Sequence, residues 1–220
     1  MKKGILLIVV LLSFSTLAQN LQLNYDFGKD RKYVTSTFEM FKTDEYGATF
    51  WFVDFDFNHP GNKSASLGYF EIARYIALPL PIKNISATLQ YNDGTAPWGP
   101  LGHVWLAGLS YPVDLGLFVL NTDILYRKSY FSEGSDVQLT GVWFIPIMDG
   151  KINFTGFFDL WSTKNFATDS RDFVFLSEPQ LWINFGNHLA LGGEVEISNN
   201  FIPGKTDVQF NPTLGFKWNF

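Results

Sequence analysis

The stretch Val208-Gln-Phe-Asn-Pro-Thr-Leu-Gly-Phe-Lys-Trp-Asn-Phe220 ends the chain and decides the fold. Val208, Phe210, Pro212, Leu214, Phe216, Trp218 and Phe220 fall on one side of a two-residue period. Gln209, Asn211, Thr213, Gly215, Lys217 and Asn219 fall on the other. Successive strand residues point to opposite faces, so this is one long strand with an apolar and a polar face.

The pattern recurs upstream. Ile152, Phe154, Phe158 and Leu160 oppose Asn153, Thr155, Phe157, Asp159 and Trp161. Phe118, Leu120, Ile124 and Tyr126 oppose Asn121, Asp123 and Arg127; Ile85, Ala87, Leu89 and Tyr91 oppose Ser86, Thr88 and Gln90; Leu189, Leu191, Val195 and Ile197 oppose Glu194, Glu196 and Ser198. No segment carries a convincing 3.6-residue period. Twelve strands are predicted, near 21–27, 32–42, 46–57, 68–78, 84–92, 103–112, 115–128, 137–147, 151–162, 173–185, 188–198 and 207–220. The first is the weakest, being short.

Connections alternate in length. Thr43-Asp44-Glu45, Pro112-Val113-Asp114, Met148-Asp149-Gly150 and Gly186-Asn187 read as tight turns, with Pro79 to Lys83 slightly longer. Between them lie polar stretches at 58–66, 93–102, 129–136, 163–172 and 199–206. In an up-and-down sheet, alternate connections share a rim, so one rim is tight and the other loopy, as in outer-membrane barrels.

The N-terminus reads as a secretory signal over residues 1–18: Lys2 and Lys3, an apolar run from Ile5 to Leu12, then Thr16-Leu17-Ala18 before Gln19. Its removal would leave residues 19–220 as one domain, with net charge falling from −5 to about −7 as two lysines leave. With no cysteine, disulfides, thiolate metal sites and a lipid-bearing N-terminal Cys are excluded. The 16 Lys and Arg are scattered, which excludes a basic nucleic-acid patch. No later segment is apolar for 18 residues, so no transmembrane helix is expected.

Alternation alone does not say which face meets solvent, since a soluble barrel or sandwich has the same pattern turned inside out. The strands are long enough for tilted membrane spans. Aromatics gather at strand ends (Tyr33, Tyr91, Tyr111, Tyr126, Trp143, Trp218, Phe220), where amphipathic rings favour a membrane interface. Together with the export signal and the terminal Phe220, these select an all-β fold: a closed, antiparallel, up-and-down transmembrane β-barrel of about twelve strands in the outer membrane of a Gram-negative cell. Its partners would be outer-membrane lipids, the barrel-assembly machinery acting on the C-terminal strand that ends at Phe220, and a small polar solute.

Tyr33 to Phe57, YVTSTFEMFKTDEYGATFWFVDFDF, resembles the opening hairpin of the nucleoside-specific channel-forming (Tsx-like) porins. Phe70-Glu71-Ile72, Phe144-Ile145-Pro146-Ile147 and the closing Gly215 to Phe220 are similar to other strands of that family. The likeness is spread over most of the chain and is diffuse. The resemblance implies a monomeric twelve-stranded barrel whose narrow pore passes nucleosides, here in a shorter chain with trimmed loops or in an uncharacterised branch of that fold.

With apolar residues toward lipid, the other face lines a lumen. It holds Glu39, Asp54, Asp56, Glu71, Asp123, Asp159, Glu178, Glu194 and Glu196 against Arg127 and Lys217. Such an acidic pore favours cations and neutral polar solutes over anions. Phe50, Phe52, Tyr69, Tyr75, Phe157, Trp161 and Trp182 share that face; they stack on a solute or simply plug a narrow barrel. Arg74 falls on the lipid face with Phe70, Ile72, Ile76 and Leu78, where a mid-bilayer arginine costs about 2–4 kcal/mol, so a bulge or a place near the rim is expected.

No metal-ligand spacing or nucleophile motif appears, and no cofactor is implied. The i, i+2 pairs Asp54/Asp56 and Glu194/Glu196 read as pore lining. Of His59, His103 and His188, only His103 adjoins a strand start, so a lipid-acting barrel enzyme would need it as base beside a Ser and an Asp. The leading expectation is passive diffusion of small polar solutes, nucleosides among them. The alternatives are a non-conducting structural or binding barrel, that enzyme, and a soluble secreted β domain.

Overall fold

The computed structural model describes residues 18–58, 63–132, 134–164, 170–202 and 204–220. The leader expected at 1–18, apart from Ala18, and His59 lie outside the described residues. Twelve strands follow one another: β1 (Ala18–Asp26), β2 (Val34–Asp44), β3 (Gly47–Phe57), β4 (Ala65–Ala77), β5 (Ser86–Ala96), β6 (Val104–Asp114), β7 (Val119–Ser129), β8 (Asp136–Ile147), β9 (Ile152–Lys164), β10 (Arg171–Ser177 and Gln180–Phe185), β11 (Leu189–Asn199) and β12 (Gln209–Asn219). Gly99–Pro100 adds a two-residue bridge to the end of β5. β10 is interrupted only where Pro179 lacks an N–H. Its pairing with β9 keeps one register across the break, Phe158 with Ser177 and Thr155 with Gln180.

Each strand pairs antiparallel with its sequence neighbours, and β12 pairs with β1, Asn219 opposite Asn20 and Thr213 opposite Asp26. The sheet is therefore closed, the fold expected from the sequence. The short first strand is a full member: β1 bonds β12 on one side and β2 on the other.

Several strand ends differ from the sequence reading, for local reasons. The reversal expected at Pro112–Asp114 occurs at 115–118, because Asp114 Oδ1 accepts from the Gly116 N–H (2.7 Å) and Gly116 takes a left-handed backbone (φ 82°). In the same way Asp44 Oδ1 accepts from the Tyr46 N–H (2.9 Å), so β2 runs through Thr43 and Asp44 before turning. At 93–102, expected as loop, β5 continues to Ala96.

The outward face is apolar and the inward face polar. In β12, Phe210, Leu214, Phe216 and Trp218 are exposed while Asn211 and Gly215 are buried; Leu214 is 54% exposed and Phe216 58%. In β1, Asn20, Gln22, Asn24 and Asp26 are buried while Leu21, Leu23 and Tyr25 are exposed. A water-soluble barrel has the reverse arrangement, so hydrocarbon is the solvent that matches the outer surface. Closure matters in that solvent, because an unpaired sheet edge leaves amide groups with no water to bond.

Two placements settle open points about the outer face. Arg74 does face outward, three residues from the end of β4. Its guanidinium donates to Asp44 Oδ2 and Oδ1 (2.6 and 2.9 Å) and to Thr49 (2.9 Å), so rim position accommodates the charge. The β3–β4 register shift lies elsewhere, at Asp56/Phe57. Tyr33, expected in the aromatic girdle, is instead buried. The connection before β2 folds inward and carries its ring with it.

Candidate functional site: the barrel interior

Alternation along paired strands brings Glu39, Asp54, Asp56, Glu71, Asp123, Asp159, Glu178, Glu194, Glu196, Arg127 and Lys217 to the inner wall. The rings of Phe50, Phe52, Tyr69, Tyr75, Phe157, Trp161 and Trp182 lie on the same wall. Hydrogen bonds then divide the interior into clusters.

Near the loopy rim, connection 27–33 turns into the mouth. Arg31 donates to Asp26 Oδ2 (3.1 Å) and Glu196 Oε2 (2.7 Å). Glu196 also accepts from Ser198 (3.0 Å) and Asn211 (3.1 Å). Burial alone would lower the Arg31 pKa, but Glu196, Tyr33 and Asp26 more than offset this and raise it above its ordinary value. Asp56 accepts from Thr35 (2.6 Å). Across the mouth, buried Asp136 is paired with Arg171. Sequence reading missed Asp26, Arg31, Asp136 and Arg171. Asp26 lies two residues from Asn24 on an inward face of period two, and that signal could have found it. Nothing local marks Arg31, whose partner Glu196 is 165 residues away.

At mid-depth, Tyr75 and Gln90 both donate to Asp123 (3.0 Å each). Glu71 accepts from Tyr69 (2.5 Å) and Asn92 (2.8 Å). Asp159 accepts from Thr140 and from Gln138 (2.9 Å), and Gln138 accepts from Arg127 (2.9 Å). The Arg127 guanidinium lies 4.7 Å from the Trp161 ring centre, and Lys217 Nζ lies 4.3 Å from that of Trp182. Glu194 accepts from Gln180 (2.9 Å), which in turn accepts from Trp182 Nε1 (2.9 Å). Glu39 accepts from Asn20 (2.8 Å).

The inner wall is not uniformly polar. Val104, Leu106 and Leu125 form a buried apolar cluster inside the barrel. Toward the tight rim the interior opens: Phe144, on the face of Thr140, is 59% exposed. Of the histidines, His103 packs against Tyr91 and Tyr130 (ring centres 6.2 and 5.2 Å), and His188 stacks on Trp218 (5.3 Å). Among the described residues, no group of three acidic or histidine side chains is placed to hold a metal ion.

This geometry has counterparts among solved structures. A structure titled "NanC porin structure in rhombohedral crystal form" aligns with TM-score 0.56 at 12% identity, covering 92% of this chain and 99% of that one. "KdgM porin in complex with disordered oligogalacturonate" aligns with TM-score 0.54 at 9% identity, covering 93% and 99%. Identities this low establish a shared fold and no shared solute. No curated protein matches the sequence. One family model matches over residues 18–220, the whole described barrel, and the chain thus belongs to the family described as "Domain of unknown function (DUF5020)".

Proposed function

We propose that the protein is an outer-membrane channel for passive diffusion of small polar solutes, preferring cations and neutral molecules over anions, with nucleosides in the class that fits. One observation carries this reading. At mid-depth the inner wall presents Glu39, Asp54, Glu71, Asp123, Asp159, Glu178 and Glu194 against, among the described residues, Arg127 and Lys217. Rings of like charge in a pore set ion preference, and the aromatic walls offer stacking worth about 1–3 kcal/mol per base.

In this reading residues 1–18 direct export and are removed. Both termini lie on the tight rim, which faces the periplasm, and the longer loops face outward. Outer-membrane lipids cover the apolar face, and the assembly machinery engages β12 with its terminal Phe220. Oligogalacturonate, named with one structural neighbour, carries a carboxylate on each sugar; an acidic wall supports a different solute here.

Planar-bilayer recording tests the proposal. The expected result is conductance with a reversal potential on the cation side in a KCl gradient, and liposome influx of uridine faster than of galacturonate. Folded protein that passes neither current nor solute defeats it. That outcome would favour a sealed binding or structural barrel, a reading supported by the full burial of Leu106, Leu125 and Trp182 inside the wall.

A further inference from the structure

Most interior acids already have strong partners: Glu196 has Arg31, Asp136 has Arg171, Asp123 has Tyr75 and Gln90, and Asp159 has Gln138. Asp54 differs. Thr37 bonds its carboxylate, but Oδ1 is buried with no partner. Asp54 comes from β3, and the charges it feels include Glu194 of β11, four strands away around the ring. Glu178, in the break of β10 and nearly opposite Asp54, feels Glu194, Glu196 and Asp54, with Arg31 opposing them, and Glu194 also feels Lys217. Asp54 thus faces, across the lumen, the neighbouring carboxylates Glu178 and Glu194 of the paired strands β10 and β11.

A second observation is independent of these charges. Asn24 of β1 is 1% exposed, and neither its Oδ1 nor its Nδ2 has a partner. A buried amide left unbonded is destabilising, so such a group is retained where something else bonds it. Its direction is fixed by Gly215: a Cβ built there would lie 2.2 Å from Asn24 Oδ1, so the amide lies across β12. Gly215 pairs with Gly192, two residues from Glu194, and that pair puts no side chain beside the amide; Trp182, opposite Gly192, and Lys217 stacked on its ring border the same space.

The wall leading to Asp54 is aromatic. Phe50, Phe52 and Tyr69 follow one another at 6.0 Å between ring centres, and Tyr69 pairs with Asp54. Aromatic faces attract cations. The acids are not close enough together to chelate a bare metal ion. A larger cation with several N–H donors can bond acids on different strands where a bare ion cannot.

We propose that Asp54, Glu178, Glu194 and the amide of Asn24 form a mid-lumen subsite for an organic cation carrying a protonated amine or guanidinium. The subsite rests on the channel reading for its route of access and names the solute class that the channel holds longest. Calorimetric titration of the detergent-folded barrel tests it with putrescine, 1,4-butanediol, succinate and calcium chloride. Putrescine should bind one per barrel, butanediol at least tenfold more weakly, and succinate not at all. Asp54→Asn and Asn24→Ala should each weaken putrescine tenfold or more, while Asp136→Asn leaves it unchanged. Heat-modifiable gel migration verifies folding; if Asp54→Asn does not fold, Glu178→Gln and Glu194→Gln decide on the same tenfold criterion. Absence of putrescine binding, equal binding of butanediol, or displacement of putrescine by equimolar calcium overturns the subsite. Because binding is read without current, a barrel that conducts but does not bind refutes the subsite alone. One that binds but never conducts refutes the channel and leaves the subsite standing.

Discussion

Replacing Leu214 with arginine tests whether the outward face meets hydrocarbon. Leu214 lies five residues from each end of β12 and faces outward. At about 3.4 Å per residue and a tilt of about 40°, five residues climb roughly 13 Å, half of an apolar band about 25 Å tall. Position 214 is therefore at the bilayer midplane, where an outward arginine costs about 2–4 kcal/mol. That is a loss of roughly 30- to 900-fold in the folding equilibrium. Trp218, one residue from the end of the strand, is at the interface, where the same change costs about 0–1 kcal/mol. Arg74 is the natural counterpart, near a rim and held by Asp44, the last residue of β2. The measurement is urea titration of each variant in lipid vesicles, read by heat-modifiable migration. On a water-facing surface both substitutions would fall within about 0.5 kcal/mol of zero. No cost at Leu214, or equal costs at Leu214 and Trp218, refutes the lipid-facing assignment.

Arg31→Ala should free connection 27–33 from the mouth, raising single-channel conductance and lowering stability by about 1–3 kcal/mol as Glu196 loses its cation; unchanged conductance would place the loop outside the solute path. A pKa raised on folding stabilises fully below its unfolded value and is lost only as pH rises through the folded one, so the Arg31 contact should not loosen between about pH 7 and 10. A conductance rise over that range in wild type, absent in Arg31→Ala, would contradict this. Lys217→Gln removes one of two mid-depth cations and should shift the reversal potential further toward the cation side; no shift means Lys217 lies off the path. Gly141→Ala and Gly192→Ala should separate. At Gly141 the new methyl meets the rim of the outward Phe158 ring, which swings into lipid at a cost below about 1 kcal/mol. At Gly192 it meets the Leu181 backbone oxygen, costing about 1–3 kcal/mol or preventing folding. Equal urea midpoints for the two would show the β10–β11 spacing to be adjustable.

The fold was readable because the period of two survives in nearly every strand, and a closed meander needs only adjacent pairings. β12 shows this best: thirteen alternating residues are assigned to faces by parity alone. Parity also places Asp54, Glu178 and Lys217 without knowledge of their neighbours. It does not reach contacts made by closure or by connections. The β1–β2 connection brings Tyr33 and Arg31 into the mouth, and Arg31 meets Glu196 only because β12 seals against β1. Hydropathy misleads at Leu106 and Leu125, which face inward despite being apolar, since they pack on each other and Val104 rather than on lipid. At Pro112–Asp114 the strand runs on through residues of turn-forming type, because Asp114 caps the following turn with its side chain instead of occupying it.

The acid excess is hard to explain as a stabilising device. Each buried carboxylate gives up hydration, and pairing restores the balance only when donors surround it. Asp123 and Asp159 meet that condition; Asp54, with a bare oxygen, and Glu178, facing Glu194, do not. Sheet closure and the apolar outer face hold the barrel together without them. Inward Val104, Leu106 and Leu125 show that this wall accepts aliphatic packing, so a purely structural interior had a cheaper composition within reach. On the proposed channel reading, carboxylates kept on such a wall, beside an aromatic track and an unbonded amide, serve what passes along the axis rather than what keeps the strands together.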